Sequence, residues 1–152
     1  RLGRCRLSCI IPVLNEARIC LLRKMCRKGI EIDKITIMVV DDSPFASKQI
    51  QDVVEENGYE VVAYAANGED GIKLYDEMHP DIVIMDIIMP GLDGLETAQI
   101  LMKKHPDVKI MMLSSLCDAS TLEEVRGIGL KYLIPKPWED DVLLATLEML
   151  SR

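Results

Sequence analysis

From residue 35 onward, short apolar runs rich in β-branched residues alternate with longer amphipathic stretches, five times in succession. That alternation constrains the fold more than any other feature. Strands separated by helix-length segments pair in parallel, and a parallel sheet needs helices on both faces. The apolar runs fall at 35–40, 61–65, 82–85, 108–113 and 132–134. After the first, Ser43 and Pro44 mark a helix start, with serine as N-cap and proline at the first helical position. Gly58 is a stop signal for that helix near Asn57. Asn67 caps a second helix that fades near Met78, because His79 precedes a proline. The third strand ends at Asp86. A loop, Met89-Pro90-Gly91-Leu92-Asp93-Gly94, then opens a third helix reaching about Lys104. Residues 119–127 and 139–150 form the last two helices.

The segment His79-Pro80-Asp81-Ile82-Val83-Ile84-Met85 is echoed 26 residues later by His105-Pro106-Asp107-Val108-Lys109-Ile110-Met111. The echo reads as one structural event repeated: a helix ends, proline forbids its continuation, and a buried strand begins. Each histidine then sits where a helix-terminal cation is favourable, which makes a chemical role for either less attractive.

The net charge of −7 hides two unlike parts. Residues 1–34 hold nine Lys/Arg against three Asp/Glu, and residues 35–152 hold nine against 22. An acidic globular part is a poor nucleic-acid binder and suits cation gathering or docking on proteins. Cys5, Cys9, Cys20 and Cys26 precede the acidic part and only Cys117 lies within it, so neither a zinc site nor a disulfide framework is expected. No apolar run approaches the roughly 18 residues of a membrane span. The expectation is a soluble cytoplasmic protein. Residues 1–33 read as an extension outside the working domain, not necessarily native: the chain opens with Arg1, its first methionine is Met25, and the charge balance reverses near residue 34. A short helix at 16–28 would be marginal in isolation. The stretch Ile10-Ile11-Pro12-Val13-Leu14-Asn15-Glu16-Ala17 looks like the opening strand of family-2 glycosyltransferases, but the nucleotide-binding domain that should follow is missing, so it is read as chance.

In open parallel sheets, functional groups gather beyond the carboxyl ends of the strands, near the point where strand order reverses. Strand one ends in Asp41-Asp42, strand three in Asp86, strand four in Ser114-Ser115, and strand five leads into Lys136-Pro137. Taken singly these are ordinary. Asp42 or Ser43 caps a helix, Asp86 is a loop acid, and Lys136 is a surface lysine. Together on one sheet edge they form a chemistry. Three carboxylates repel one another unless a cation joins them, and hard oxygen ligands suit Mg²⁺. A lysine and a serine hydroxyl can hold phosphate oxygens. Such a set supports phosphoryl transfer to a carboxylate.

These segments resemble the signature of response-regulator receiver domains: Val39-Val40-Asp41-Asp42-Ser43, Asp81 through Gly94, Leu113-Ser114-Ser115 and Lys136-Pro137. The resemblance covers about residues 34–152. It implies a flavodoxin-like, doubly wound α/β fold with a five-stranded parallel sheet in the order 2-1-3-4-5. It further implies Asp86 as phosphoacceptor, and Asp41, Asp42, Asp86 and the Ile88 backbone carbonyl as Mg²⁺ ligands. Ser114 and Lys136 would bind the phosphoryl group, and the Lys136–Pro137 bond would be cis. Implied partners are a sensor histidine kinase or phosphotransfer protein, and a downstream protein on the face formed by 119–127, 132–134 and 139–150. No direct nucleic-acid or membrane contact is expected, and no enzyme activity beyond self-phosphorylation and autodephosphorylation. The chain departs from the pattern at one point. Receivers usually carry Tyr or Phe three residues before the lysine, whereas here that residue is Leu133 with Tyr132 before it. Either a bulge at Pro135 restores Tyr132 to the role, or the aromatic switch is absent.

A stand-alone receiver is the leading expectation, since the chain stops one helix after Lys136. A receiver fragment of a larger DNA-binding regulator is the second. A haloacid-dehalogenase-like hydrolase is a third, but those resemble Asp-x-Asp at the first strand rather than adjacent acids.

Overall fold

The computed structural model describes residues 34–152; the expected helix at 16–28, the four early cysteines and the glycosyltransferase-like stretch lie outside them. Five strands and five helices alternate. They are β1 (Thr36–Val40), α1 (Pro44–Glu56), β2 (Glu60–Ala65), α2 (Gly68–Met78), β3 (Ile82–Asp86), α3 (Gly94–Lys104), β4 (Ile110–Ser114), α4 (Ala119–Gly127), β5 (Leu133–Pro135) and α5 (Asp140–Ser151). The strands pair in parallel in the order β2-β1-β3-β4-β5. This is the doubly wound fold anticipated from the alternation and the resemblance.

Side chains alternate across the sheet, so it feeds two cores. On one face Met38, Val40, Val83, Met85 and Met112 pack against Tyr75 of α2, Ala98 and Leu101 of α3 and Val125 of α4. On the other, Ile37, Val39, Ile84, Met111 and Leu113 pack against Ile50 and Val54 of α1 and Leu143 and Leu147 of α5. Helices begin where the polar caps stand. Ser43, Asn67, Asp93 and Asp118 each accept the backbone N–H three residues on. Such a cap satisfies an amide that the helix leaves unpaired, a contribution of about 1 kcal/mol. Gly58 takes φ 91° just past α1, as a helix stop requires.

Three details differ from the expectation. β4 starts at Ile110 rather than Val108, because the Val108 N–H folds back onto the His105 carbonyl (3.0 Å) and makes a turn first. Both histidines end a helix ahead of a proline and a buried strand, as expected, but their backbones differ. His79 caps α2 in the left-handed region (φ 45°), whereas His105 caps α3 at φ −131°. β5 and α5 each begin one residue later than expected.

The register of β5 resolves the question of the aromatic position. Met112, Leu113 and Ser114 pair one-to-one with Leu133, Ile134 and Pro135, with no bulge. Leu133 therefore keeps the place three residues before Lys136 and packs on the α2–α3–α4 core, while Tyr132 packs on the opposite one.

Candidate functional site

The strand order reverses between β1 and β3, and the carboxyl ends of β1, β3, β4 and β5 meet there. Asp41 follows β1 and is fully buried. Its Oδ1 accepts the Ser43 N–H (2.8 Å), which couples the acid to the start of α1. Asp86, the last residue of β3, is 6% exposed, and its Oδ1 accepts the Ile88 N–H at 3.2 Å. The Lys136 Nζ reaches both acids, donating to Asp41 Oδ2 at 2.7 Å and lying 2.9 Å from Asp86 Oδ2. Lys136 is steered there from the main chain, since its N–H donates to the Ser114 carbonyl (2.8 Å). The Lys136–Pro137 bond is cis. Ser114 is fully buried at the end of β4, and its Oγ accepts the Leu116 N–H (3.0 Å), leaving the hydroxyl proton to be donated elsewhere.

Of the residues singled out in the sequence, Asp41, Asp86, Ser114 and Lys136 are thus drawn together in buried positions. Asp42 joins them from the solvent side, and Ser115 points to solvent. Ile88 exposes its side chain, as does Leu116, beside Asp86 and Ser114. Burial raises the Asp86 carboxyl above its ordinary pKa; Asp41 adds to the rise, and Lys136 and the Ile88 N–H oppose it. Burial works to lower Lys136, but the hydrogen bonds and charges of Asp41 and Asp86 outweigh it and hold its pKa above the usual lysine value. A lysine so held stays cationic and cannot act as a base near neutrality.

Oxygens of Asp41, Asp42 and Asp86 lie within 4.8 Å of one another, and among the described residues this is the one group of three or more His, Cys or acidic side chains so placed. Lys136 offsets one of the three negative charges. The two that remain, all oxygen donors with one acid open to water, suit a small hard divalent cation such as Mg²⁺. The backbone of the loop is shaped for close approach. Gly91 sits at φ 79°, and a Cβ on Gly94 would strike the carbonyl oxygen of Asp86. Sequence reasoning missed one member of this neighbourhood. The Tyr64 hydroxyl donates to the Asp41 carbonyl (2.8 Å), and nothing in the 61–65 run marks a tyrosine for that task.

Comparison with known proteins places this geometry. The family model for the response regulator receiver domain matches residues 37–148. Chemotaxis protein CheY of Listeria monocytogenes is 37% identical over 118 residues, covering 78% of this chain and 99% of that protein. Protein-glutamate methylesterase/protein-glutamine glutaminase of Oceanobacillus iheyensis is 39% identical over 107 residues, 68% of this chain and 30% of its own length. Among solved structures, a chain of the CheX–CheY–BeF3–Mg²⁺ complex from Borrelia burgdorferi superposes with a TM-score of 0.74 at 27% identity, over 78% of this chain and 90% of that one. Among the described residues, no helix is long and apolar enough to cross a membrane.

Proposed function

Because the chain belongs to the response regulator receiver domain family, we propose that residues 34–152 are a phosphoacceptor switch of a two-component system, charged at Asp86. The observation that carries this reading is the Lys136 ammonium held between two buried carboxylates, Asp41 and Asp86, beside the buried Ser114 hydroxyl. In the step proposed, an Asp86 carboxylate oxygen attacks the phosphorus of a phosphohistidine on a sensor kinase or phosphotransfer protein. The phosphorus–nitrogen bond breaks, the imidazole leaves and takes up a proton, and an acyl phosphate remains on Asp86. Lys136 and the Ser114 hydroxyl hold phosphoryl oxygens, which in a buried site is worth more than in water. Asp41, Asp42 and Asp86, with the Ile88 carbonyl, are the protein ligands assigned to Mg²⁺, which when bound supplies charge neutralisation.

Drawing a phosphoryl group toward Ser114 and Lys136 pulls on the segments that follow β4 and β5. The face built from α4, β5 and α5 is therefore the one offered to a downstream protein, in a cytoplasmic setting. Catalysis is confined to the domain's own phosphorylation and hydrolysis. The relative that carries a similar segment over 30% of its length supports a second reading, a receiver within a larger regulator.

The experiment is labelling by acetyl phosphate. The parent protein takes up hydroxylamine-sensitive phosphate and Asp86→Asn takes up none. Acid-labile phosphate on Asp86→Asn would show that another group is the acceptor.

A further inference from the structure

Strand β2 carries one residue more than its neighbour. Ile37 pairs with Val61 but Met38 pairs with Ala63, which leaves Val62 as the extra residue. With a side-chain period of two, one inserted residue turns every later side chain to the opposite face. The two cores register the turn. Val61 packs on the α1–α5 core with Ile37, while Ala63 and Ala65 pack on the α2–α3–α4 core with Met38 and Val40. Tyr64 pairs with Val39, a residue of the α1–α5 core, so it stands on the α1 side of the sheet, where β1 hands over to α1.

There Tyr64 is 41% exposed, yet its hydroxyl donates to the Asp41 carbonyl at 2.8 Å. The Asp41 N–H donates to the Ala65 carbonyl at 3.0 Å. Both polar groups of the Asp41 main chain are thereby tied to β2. The carbonyl bound by Tyr64 belongs to the peptide joining Asp41 to Asp42, and a peptide plane turns as one unit. Asp42 is exposed, and among the described residues its side chain makes no hydrogen bond. Its backbone sets the direction of its Cα–Cβ bond, and so the arc its carboxylate can reach.

We propose that Tyr64 is a positioning residue for divalent-cation binding: through the Asp41 carbonyl it holds the Asp41–Asp42 peptide so that the Asp42 carboxylate faces Asp41 and Asp86. The inference rests on the reading of those three acids as cation ligands. The bulge is what aims it, since without Val62 as an extra residue position 64 would face the α2 side of the sheet. Bulges commonly re-aim one side chain beside a site in this way.

The test is Tyr64→Phe in the full chain, which removes one oxygen and keeps the ring. Mg²⁺ is titrated by calorimetry or amide chemical shifts at 25 °C, with Asp42→Asn as control. The Mg²⁺ dissociation constant should rise about fivefold, about 1 kcal/mol at 1.4 kcal/mol per tenfold. The Mg²⁺ concentration for half-maximal labelling by acetyl phosphate should rise in the same ratio. At saturating Mg²⁺ the labelling rate should return to that of the parent, a split that a loss of stability alone would not produce. If the parent and Asp42→Asn bind Mg²⁺ differently but Tyr64→Phe matches the parent, Tyr64 is only an edge-strand side chain and the proposal is overturned. If Asp42→Asn binds Mg²⁺ as the parent does, the reading of the acids fails, and the role of Tyr64 falls with it. A labelling rate still low at saturating Mg²⁺ would also overturn positioning of the cation as the role.

Discussion

Replacing Lys136 by methionine removes a charge while keeping most of the apolar stem, so the consequence is electrostatic. The lysine side chain is 18% exposed, against 1% for Asp41 and 8% for Asp86. Removing one partner of a buried ion pair costs about 3–5 kcal/mol, because the remaining charge stays desolvated. Here two carboxylates are left facing each other, but the ammonium is the most exposed of the three, so the lower figure of about 3 kcal/mol applies. In a domain of this size that lowers the melting temperature by about 10 °C.

The measurement is thermal unfolding followed by circular dichroism near pH 7 with chelator present. The pH dependence has a definite sign. Burial holds the Asp86 carboxyl above its ordinary pKa. For such a group the folded state has the advantage below the unfolded pKa and loses it as pH rises through the folded one. Without Lys136 the ionised acids are opposed by less positive charge. The gap between parent and variant is therefore widest near neutrality and narrows on acidification through the carboxylate range. Added Mg²⁺ should restore part of the loss. A gap below about 2 °C near neutrality, or one that widens as pH falls, would refute the reasoning.

Two further outcomes follow from the neighbours of Asp86. Ile88 and Leu116 offer no polar group to orient an attacking water, so the pair Ile88→Asn and Leu116→Glu should speed autodephosphorylation about tenfold or more; equal decay of the two phosphoproteins would dispose of this. Gly94→Ala forces a Cβ onto the Asp86 carbonyl, so it should cost about 1–3 kcal/mol in urea denaturation and slow labelling; unaltered melting and labelling would mean that the loop yields freely.

The fold was legible because each level of the sequence pointed the same way. Ser43-Pro44 and Asn67 announce helices, the loop at 89–94 opens another, and the β-branched runs between them are too short for anything but buried strands. The site was legible for a related reason. Asp41, Asp86, Ser114 and Lys136 each stand at or just beyond a strand end, so the topology alone converges them. What escaped depends on register. Nothing in Glu60–Ala65 marks Val62 as an extra residue, since neither Gly nor Pro interrupts the strand, and hence the reach of Tyr64 to Asp41 was hidden. The choice between Tyr132 and Leu133 likewise needed the pairing of β5 with β4. The turn before β4 was masked because Val108 continues the apolar pattern of the strand that follows it.

Leu133 has an energetic corollary for a switch of this kind. Moving a two-state equilibrium from 1:99 to 99:1 takes about 5.5 kcal/mol of differential binding. A ring that exchanges a solvent-facing pose for a core-facing one supplies part of such a gap through the area it hides. Leucine in a partly buried slot on the α2–α3–α4 core has far less area to exchange. Under the proposed function, a larger share of the difference then falls to the phosphoryl contacts of Ser114 and Lys136. If the proposed function holds, the switched population then depends on those two contacts, and each 1.4 kcal/mol lost from either shifts the equilibrium about tenfold.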